Sequence, residues 1–312
     1  MNGRDENRHS RRAFLKLFAA LAGGCWIRPG GLHAAGDPLI RKNIPTTGEP
    51  VPVIGMGTSR TFDALGDSGM MDRLGGVLET FFTLGGTLID SSPMYGSAEK
   101  VIGILLNGVK RPDALFAASK VWTDGEESGK QQIEHSRRLW GINHFDLMQI
   151  HNLRDWRIQL ETLKQMKSRG GIRYLGITTS HGRSHAELAS ILKQHPFDFV
   201  QLSYNIENRE VERVLLPLAL EKGIAVIVNR PFARGGLFGK TRNRPLPEWA
   251  REIGCSSWGQ FFLKYAVSHP AVTCAIPATS KVHHMIDNMG AGYGVLPDNA
   301  MRARMEAYFA AL

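Results

Sequence analysis

The sequence predicts a (β/α)8 barrel, and three observations carry that prediction. Eight short β-rich runs recur along the chain, amphipathic stretches of helical spacing separate them, and Gly or Pro marks the joins. Strands that alternate with helices in this way run parallel, and eight such units point to a closed barrel rather than an open sheet. A doubly wound sheet is the competing architecture. It would need a Gly-rich turn after its first strand, and Gly55-Met56-Gly57-Thr58 has no third glycine at that spacing. A chain of 312 residues holds one barrel, typically about 250 residues, with appendages.

The predicted strands are 53–56, 87–90, 115–119, 147–150, 174–177, 199–202, 225–228 and 273–276. Helical patterns fall at 70–84, 98–107, 128–140, 155–169, 184–194, 208–222 and 256–268. Ahead of the barrel, 39–44 and 51–53 flank Pro45-Thr46-Thr47-Gly48-Glu49, a turn that makes them a β-hairpin suited to plugging the barrel's N-terminal end. The segment 230–247, rich in Gly and Arg, is an excursion after the seventh strand. Residues 297–312 read as a C-terminal helical extension packed outside.

The N-terminal segment reads as an address. Ser10-Arg11-Arg12-Ala13-Phe14-Leu15-Lys16 precedes a short apolar stretch, 17–27, and small residues cluster at Ala34, Ala35 and Gly36. This order resembles a bacterial twin-arginine (Tat) export signal, with cleavage near 34–36. The apolar run is too short to cross a bilayer core of about 30 Å as a helix, so no stable membrane span is expected. The expected division is a signal peptide over 1–35 and a barrel over 36–312, with the Tat translocase as partner during export and the periplasm as destination. Ala22-Gly23-Gly24-Cys25 is a poor lipidation site.

Hydrophobic residues make up 43% and charged residues 21% of the chain, an ordinary globular balance. The net charge of +9 is uneven: residues 1–35 hold six Lys/Arg against two Asp/Glu. No basic run with interleaved aromatics occurs in the body, which argues against nucleic acid as a partner. A mild positive field suits an anionic cofactor. Cys25, Cys255 and Cys274 have no metal-type spacing, so neither a zinc site nor an iron–sulfur relay is expected.

Asp90, Lys120 and His151 fall at or just beyond the C-terminal ends of the second, third and fourth predicted strands, and Tyr95 lies in the loop after Asp90. In a barrel those positions converge on one rim, where catalytic groups gather. Tyrosine, with a pKa near ~10, is a poor acid at neutral pH, and a neighbouring ammonium lowers that value. Lys120 suits this role, Asp90 can partner a buried Lys120, and His151 can hydrogen-bond a substrate oxygen.

The block Gly-Thr-Leu-Ile-Asp90-Ser-Ser-Pro-Met-Tyr95-Gly-Ser-Ala-Glu99-Lys-Val-Ile-Gly103, with Ala-Ser-Lys120-Val-Trp and Asp146-Leu-Met-Gln-Ile-His151-Asn152, resembles the aldo/keto reductase superfamily over residues 51–289. The resemblance implies hydride transfer from NADPH to an aldehyde or ketone, with Tyr95 as general acid, Lys120 and Asp90 tuning it, and His151 orienting the carbonyl. It also implies a nicotinamide site at Thr178, Thr179 and Gln201, where relatives carry Ser-Asn and Gln, with Gly57 and Thr58 at the first strand's end. Asn229 stands where many relatives stack an aromatic ring. Arg230 and Arg234 are expected at the pyrophosphate. Ala278, Thr279, Ser280, Lys281, His284, Asp287 and Asn288 resemble the adenosine segment, but Ala278 and His284 replace basic groups that grip a 2′-phosphate. NADP(H) is therefore the expected cofactor, with NAD(H) the alternative and Lys281 the compensating charge. Met94, Trp122 and Phe232 are candidates for the substrate pocket.

An exported dinucleotide-binding or accessory protein with little turnover is the competing function, suggested by Thr179, Asn229 and the export signal. Cofactor supply after export calls for either a tightly retained cofactor or a separate redox partner.

Overall fold

The computed structural model describes residues 38–110, 115–180 and 182–312. The expected signal segment, its cleavage region and Cys25 lie outside the described residues.

An antiparallel hairpin, β1 (Arg41–Asn43) with β2 (Pro50–Pro52), precedes a parallel sheet. The sheet comprises β3 (Met56–Gly57), β4 (Leu88–Asp90), β5 (Phe116–Val121), β6 (Phe145–Ile150), β7 (Ile172–Thr178), β8 (Phe199–Ser203), β9 (Ala225–Asn229) and β10 (Val272–Ala275). Each strand pairs with its sequence neighbours, and parallel bridges Ile54–Ala275 and Gly57–Ala278 close the ring. This is the predicted (β/α)8 barrel. Gly57 permits the closure, because a Cβ there would sit 2.6 Å from the Ile276 carbonyl oxygen.

The first strand departs from its predicted bounds of 53–56. Residues 50–52 pair with β1, the Val53 N–H still donates to Ile40 O at 3.1 Å, and at 53–55 the backbone then bonds to β10, with the Ala275 N–H donating to Val53 O and the Gly55 N–H to Ala275 O. Ladder pairing with β4 therefore starts at Met56.

Strand alternation sorts side chains into two sets. Leu88, Phe116, Ala118, Leu147, Tyr174, Phe199, Ala225, Ile227 and Cys274 form one apolar cluster, joined by Ile44 and Val51 from the hairpin. The hairpin thus caps the barrel interior. The alternate residues, such as Ile89, Ala117, Met148, Leu175, Val200 and Val226, pack against the surrounding helices. Carried two residues further, and four in β7 where Gly176 intervenes, the inward register reaches Asp90, Lys120, Gln149, Thr178, Gln201 and Asn229, a polar layer above the apolar one.

Helices form where the sequence has apolar residues on one face. In α1 (Ser68–Thr83), Leu74, Val77, Leu78 and Phe81 recur at helical spacing and are buried, and the Asp67 carboxylate caps the start by accepting the Met70 N–H at 2.9 Å. The remaining crossover helices are α2 (Ala98–Gly108), α3 (Glu126–Trp140), α4 (Trp156–Ser168), α5 (His185–Gln194), α6 (Leu215–Lys222) and, after the short α7 (Gly236–Lys240), α8 (Trp258–Ser268). The pattern predicted as one helix over 208–222 divides into a 3-10 turn, Glu210–Arg213, and α6. Pro217 explains the break: its ring is tolerated in a first turn but obstructs the helix preceding it. Beyond α9 (Val282–Gly290), the terminal helix α10 (Asn299–Ala310) buries Met305 and Phe309. From it Arg302 donates to Tyr204 Oη at 2.6 Å and Ser268 Oγ at 2.7 Å. Cys255 and Cys274 are buried and unpaired.

Candidate active site

The C-terminal rim of the barrel opens into a cavity of about 770 Å³. At its floor lies an ion pair that β4 and β5 place side by side: Lys120 Nζ is 2.5 Å from Asp90 Oδ2, with side chains 0% and 2% exposed. A buried pair holds its charges only when the remaining polar atoms are satisfied. Here Lys120 Nζ also donates to Ser91 O at 2.7 Å, and Asp90 Oδ1 accepts from Gln149 Nε2 and Gln201 Nε2, each at 2.9 Å. Gly176 makes room for this support, since a Cβ there would sit 2.7 Å from Gln149 Cγ. Burial opposes the Lys120 charge most strongly, but Asp90 and Tyr95 together outweigh it, so the ammonium titrates above the ordinary lysine value.

Lys120 Nζ lies 5.3 Å from the centre of the Tyr95 ring. The half-buried Tyr95 and buried His151 face each other edge-on with ring centres 6.0 Å apart, and both line the cavity. Lys120 lowers the Tyr95 pKa as expected, but it does not set the net shift, which is upward. Burial is the largest cause and raises it, and with Asp90 it outweighs the lowering by Lys120 and Arg230. At neutral pH the phenol therefore carries its proton. Burial, reinforced by Lys120, pushes His151 down to about 3, so its imidazole is neutral. His151 Nδ1 lies 3.0 Å from Ser92 Oγ.

Nicotinamide-site candidates meet along one wall. Thr178 Oγ1 accepts the Asn152 N–H at 3.1 Å, steadying the turn after His151. The neighbouring Thr179 is 3% exposed, and its Oγ1 has no hydrogen-bond partner. A buried hydroxyl in that state is poised for a polar ligand group. Asn229 accepts from Ser203 Oγ at 2.6 Å and donates to Thr179 O at 3.3 Å, so in place of an aromatic surface it ties β7, β8 and β9 together. Gly57 and Thr58 line the opposite edge, where Thr58 Oγ1 donates to Asp90 O at 2.9 Å.

Arg230 and Arg234 also line the cavity, together with Arg60. Burial, then Arg234, with Arg60 and Arg183 adding, pushes Arg230 down to about 10. Crowded cations of this kind favour an anion among them. Further along, Ala278, Thr279, His284, Asp287 and Asn288 line the cavity, while Ser280 and Lys281 stand outside its lining. Asp287 is held by Ser257 Oγ at 2.7 Å and Gln260 Nε2 at 3.0 Å at the start of α8. Burial first, then His283 and Lys281, lowers the His284 pKa.

Of the three substrate-pocket candidates, Met94 and Phe232 line the cavity and Trp122 does not. The Trp122 backbone N–H is taken by Gln132 Oε1 at 2.6 Å, and its ring lies under the Arg154 guanidinium at 4.8 Å, outside the cavity lining. Sequence reasoning missed Gln149, Ser92 and Arg60. The inward register of β6 would have shown Gln149, whereas Ser92 and Arg60 sit in loops and follow no period.

The fold and site define a barrel enzyme with Asp90, Tyr95, Lys120 and His151 gathered at one rim. The chain belongs to the aldo/keto reductase family, whose model matches residues 53–308. Methylglyoxal reductase YeaE of Escherichia coli (strain K12) is 27% identical over 246 residues, covering 76% of this chain and 84% of that protein. An aldo/keto reductase of Klebsiella pneumoniae, crystallised with NADP and acetate, superposes with a TM-score of 0.68 at 22% identity, covering 84% of this chain and 93% of that one. The glycerol dehydrogenase of Gluconobacter oxydans gives a TM-score of 0.73 at 19% identity, covering 87% and 95%.

Proposed function

We propose that this protein is an NADPH-dependent carbonyl reductase in which Tyr95 is the general acid. The observation that carries the reading is the pairing of Tyr95 and His151 across the cavity, directly above the buried Lys120–Asp90 ion pair. The cofactor, when bound, supplies a hydride to the carbonyl carbon. Tyr95 gives its proton to the carbonyl oxygen, completing the alcohol. Lys120 stabilises the phenolate left behind, and Asp90 keeps Lys120 charged. Neutral His151 hydrogen-bonds the same oxygen and fixes its direction.

The cavity fits a dinucleotide. The orphaned Thr179 hydroxyl, with Thr178 and Gln201, would hold the nicotinamide carboxamide, and Arg230 and Arg234 the pyrophosphate. Thr279, Asp287 and Asn288 would receive the adenosine. Lys281 and His284 would meet the 2′-phosphate: after burial, the positive charge of His283 and Lys281 lowers the His284 pKa, and an anion relieves that part. Fluorescence titration is expected to give tighter binding of NADP than of NAD by about tenfold, the value of roughly one charge-assisted hydrogen bond. Lys281→Ala should erase that margin. Tighter binding of NAD by the unaltered protein would overturn the cofactor choice.

Arg11, Arg12 and the apolar stretch after them support export by the Tat route, with the barrel working in the periplasm. Replacing both arginines by lysine is expected to hold the protein in the cytoplasm, read by fractionation. Unchanged periplasmic levels would sink this reading. Export of a folded protein allows the cofactor to travel inside it; a separate redox partner is the other route of resupply.

A further inference from the structure

Ser92 stands between the two groups that face the substrate oxygen. Its carbonyl oxygen accepts the Tyr95 N–H at 3.0 Å, which forms the turn carrying the phenol. Its hydroxyl oxygen accepts the Met94 N–H at 3.2 Å and lies 3.0 Å from His151 Nδ1. The side chain is fully buried. A hydroxyl has one proton to give, and among the described residues His151 Nδ1 is the acceptor in reach. If Nδ1 instead carried the imidazole proton and donated to Ser92, the hydroxyl proton would be left buried and unsatisfied. The first arrangement leaves no buried donor without a partner.

The neutral imidazole has one N–H to place, and the hydrogen bond at one nitrogen decides what the other can do. His151 Nε2 makes no protein hydrogen bond among the described residues, and the ring lines the cavity. We propose that Ser92 is a positioning residue that fixes His151 as the Nε2–H tautomer, so that the imidazole donates a hydrogen bond to the substrate's carbonyl oxygen. This inference rests on the reductase reading for its catalytic consequence, though not for the tautomer itself. Without the Ser92 hydroxyl, Nδ1 loses its donor and the ring populates the opposite tautomer, whose Nε2 lone pair repels a carbonyl oxygen. The same loss frees the ring to rotate.

The test combines a spectroscopic and a kinetic readout on the full chain. Nitrogen-15 NMR of the histidine-labelled protein, with His151 assigned by its absence in His151→Gln, should show Nε2 protonated and Nδ1 bare at neutral pH. Ser92→Ala should shift His151 toward the Nδ1–H form. It should also lower kcat/KM for carbonyl reduction by about tenfold while NADPH affinity changes by less than about twofold. Ser92→Thr, which keeps the hydroxyl, should restore the Nε2–H tautomer. An Nδ1–H imidazole in the unaltered protein overturns the inference, and so does a Ser92→Ala protein with unchanged tautomer and unchanged kcat/KM. If Nε2–H is found and depends on Ser92 while no carbonyl is reduced, the tautomer assignment stands and the reductase reading falls.

Discussion

Tyr95→Phe is expected to lower kcat for carbonyl reduction by about a hundred- to ten-thousand-fold, the usual range for a general acid, with NADPH affinity within about twofold of the unaltered protein. The substitution removes one oxygen and keeps the ring that meets His151 edge-on. Packing is therefore preserved, and the loss reports proton transfer. The raised pKa of Tyr95 strengthens the expectation, because the phenol is fully protonated at neutral pH and needs Lys120 beside it to release that proton. Steady-state kinetics with an NADPH binding titration separates the two effects. Turnover within a few-fold of the unaltered enzyme would refute Tyr95 as the acid.

Lys120→Met is expected to damage both activity and folding. It removes the cation that stabilises the phenolate, and it strands the Asp90 carboxylate, 2% exposed, with Oδ2 facing the gap and only Oδ1 still bonded to Gln149 and Gln201. Breaking one side of a buried pair costs about 3–5 kcal/mol, whereas replacing both sides by neutral groups costs far less. Chemical denaturation should therefore show Asp90→Asn restoring much of the stability lost in Lys120→Met, with activity still absent. A Lys120→Met protein as stable as the parent would mean that Asp90 does not depend on this partner.

Much of the barrel was legible because its signals are local. Alternating strand residues and the Gly or Pro joins mark β5 to β9 to within a few residues, and the strand ends alone place Asp90, Lys120 and His151 together. The errors have physical causes that reach across the chain. The first strand starts late because residues 50–52 serve the hairpin. Trp122 stays out of the cavity lining, with its ring against the Arg154 guanidinium. The Tyr95 pKa rises although Lys120 lowers it, because burial and Asp90 together outweigh that charge, and burial of a loop residue has no sequence period. Pro217 was the one readable warning that 208–222 would not be a single helix. Ser92 and His151, 59 positions apart in the chain, meet only after three strands, β4, β5 and β6, have closed side by side.

The most direct measurement is NADPH consumption by the purified protein against a panel of aldehydes and ketones, with the product identified. The reductase reading predicts one alcohol formed per NADPH oxidised, and loss of both signals together in Tyr95→Phe. Tight binding of NADPH with no carbonyl reduced across the panel would contradict it, leaving a dinucleotide-binding protein that has the barrel and its rim without the reaction.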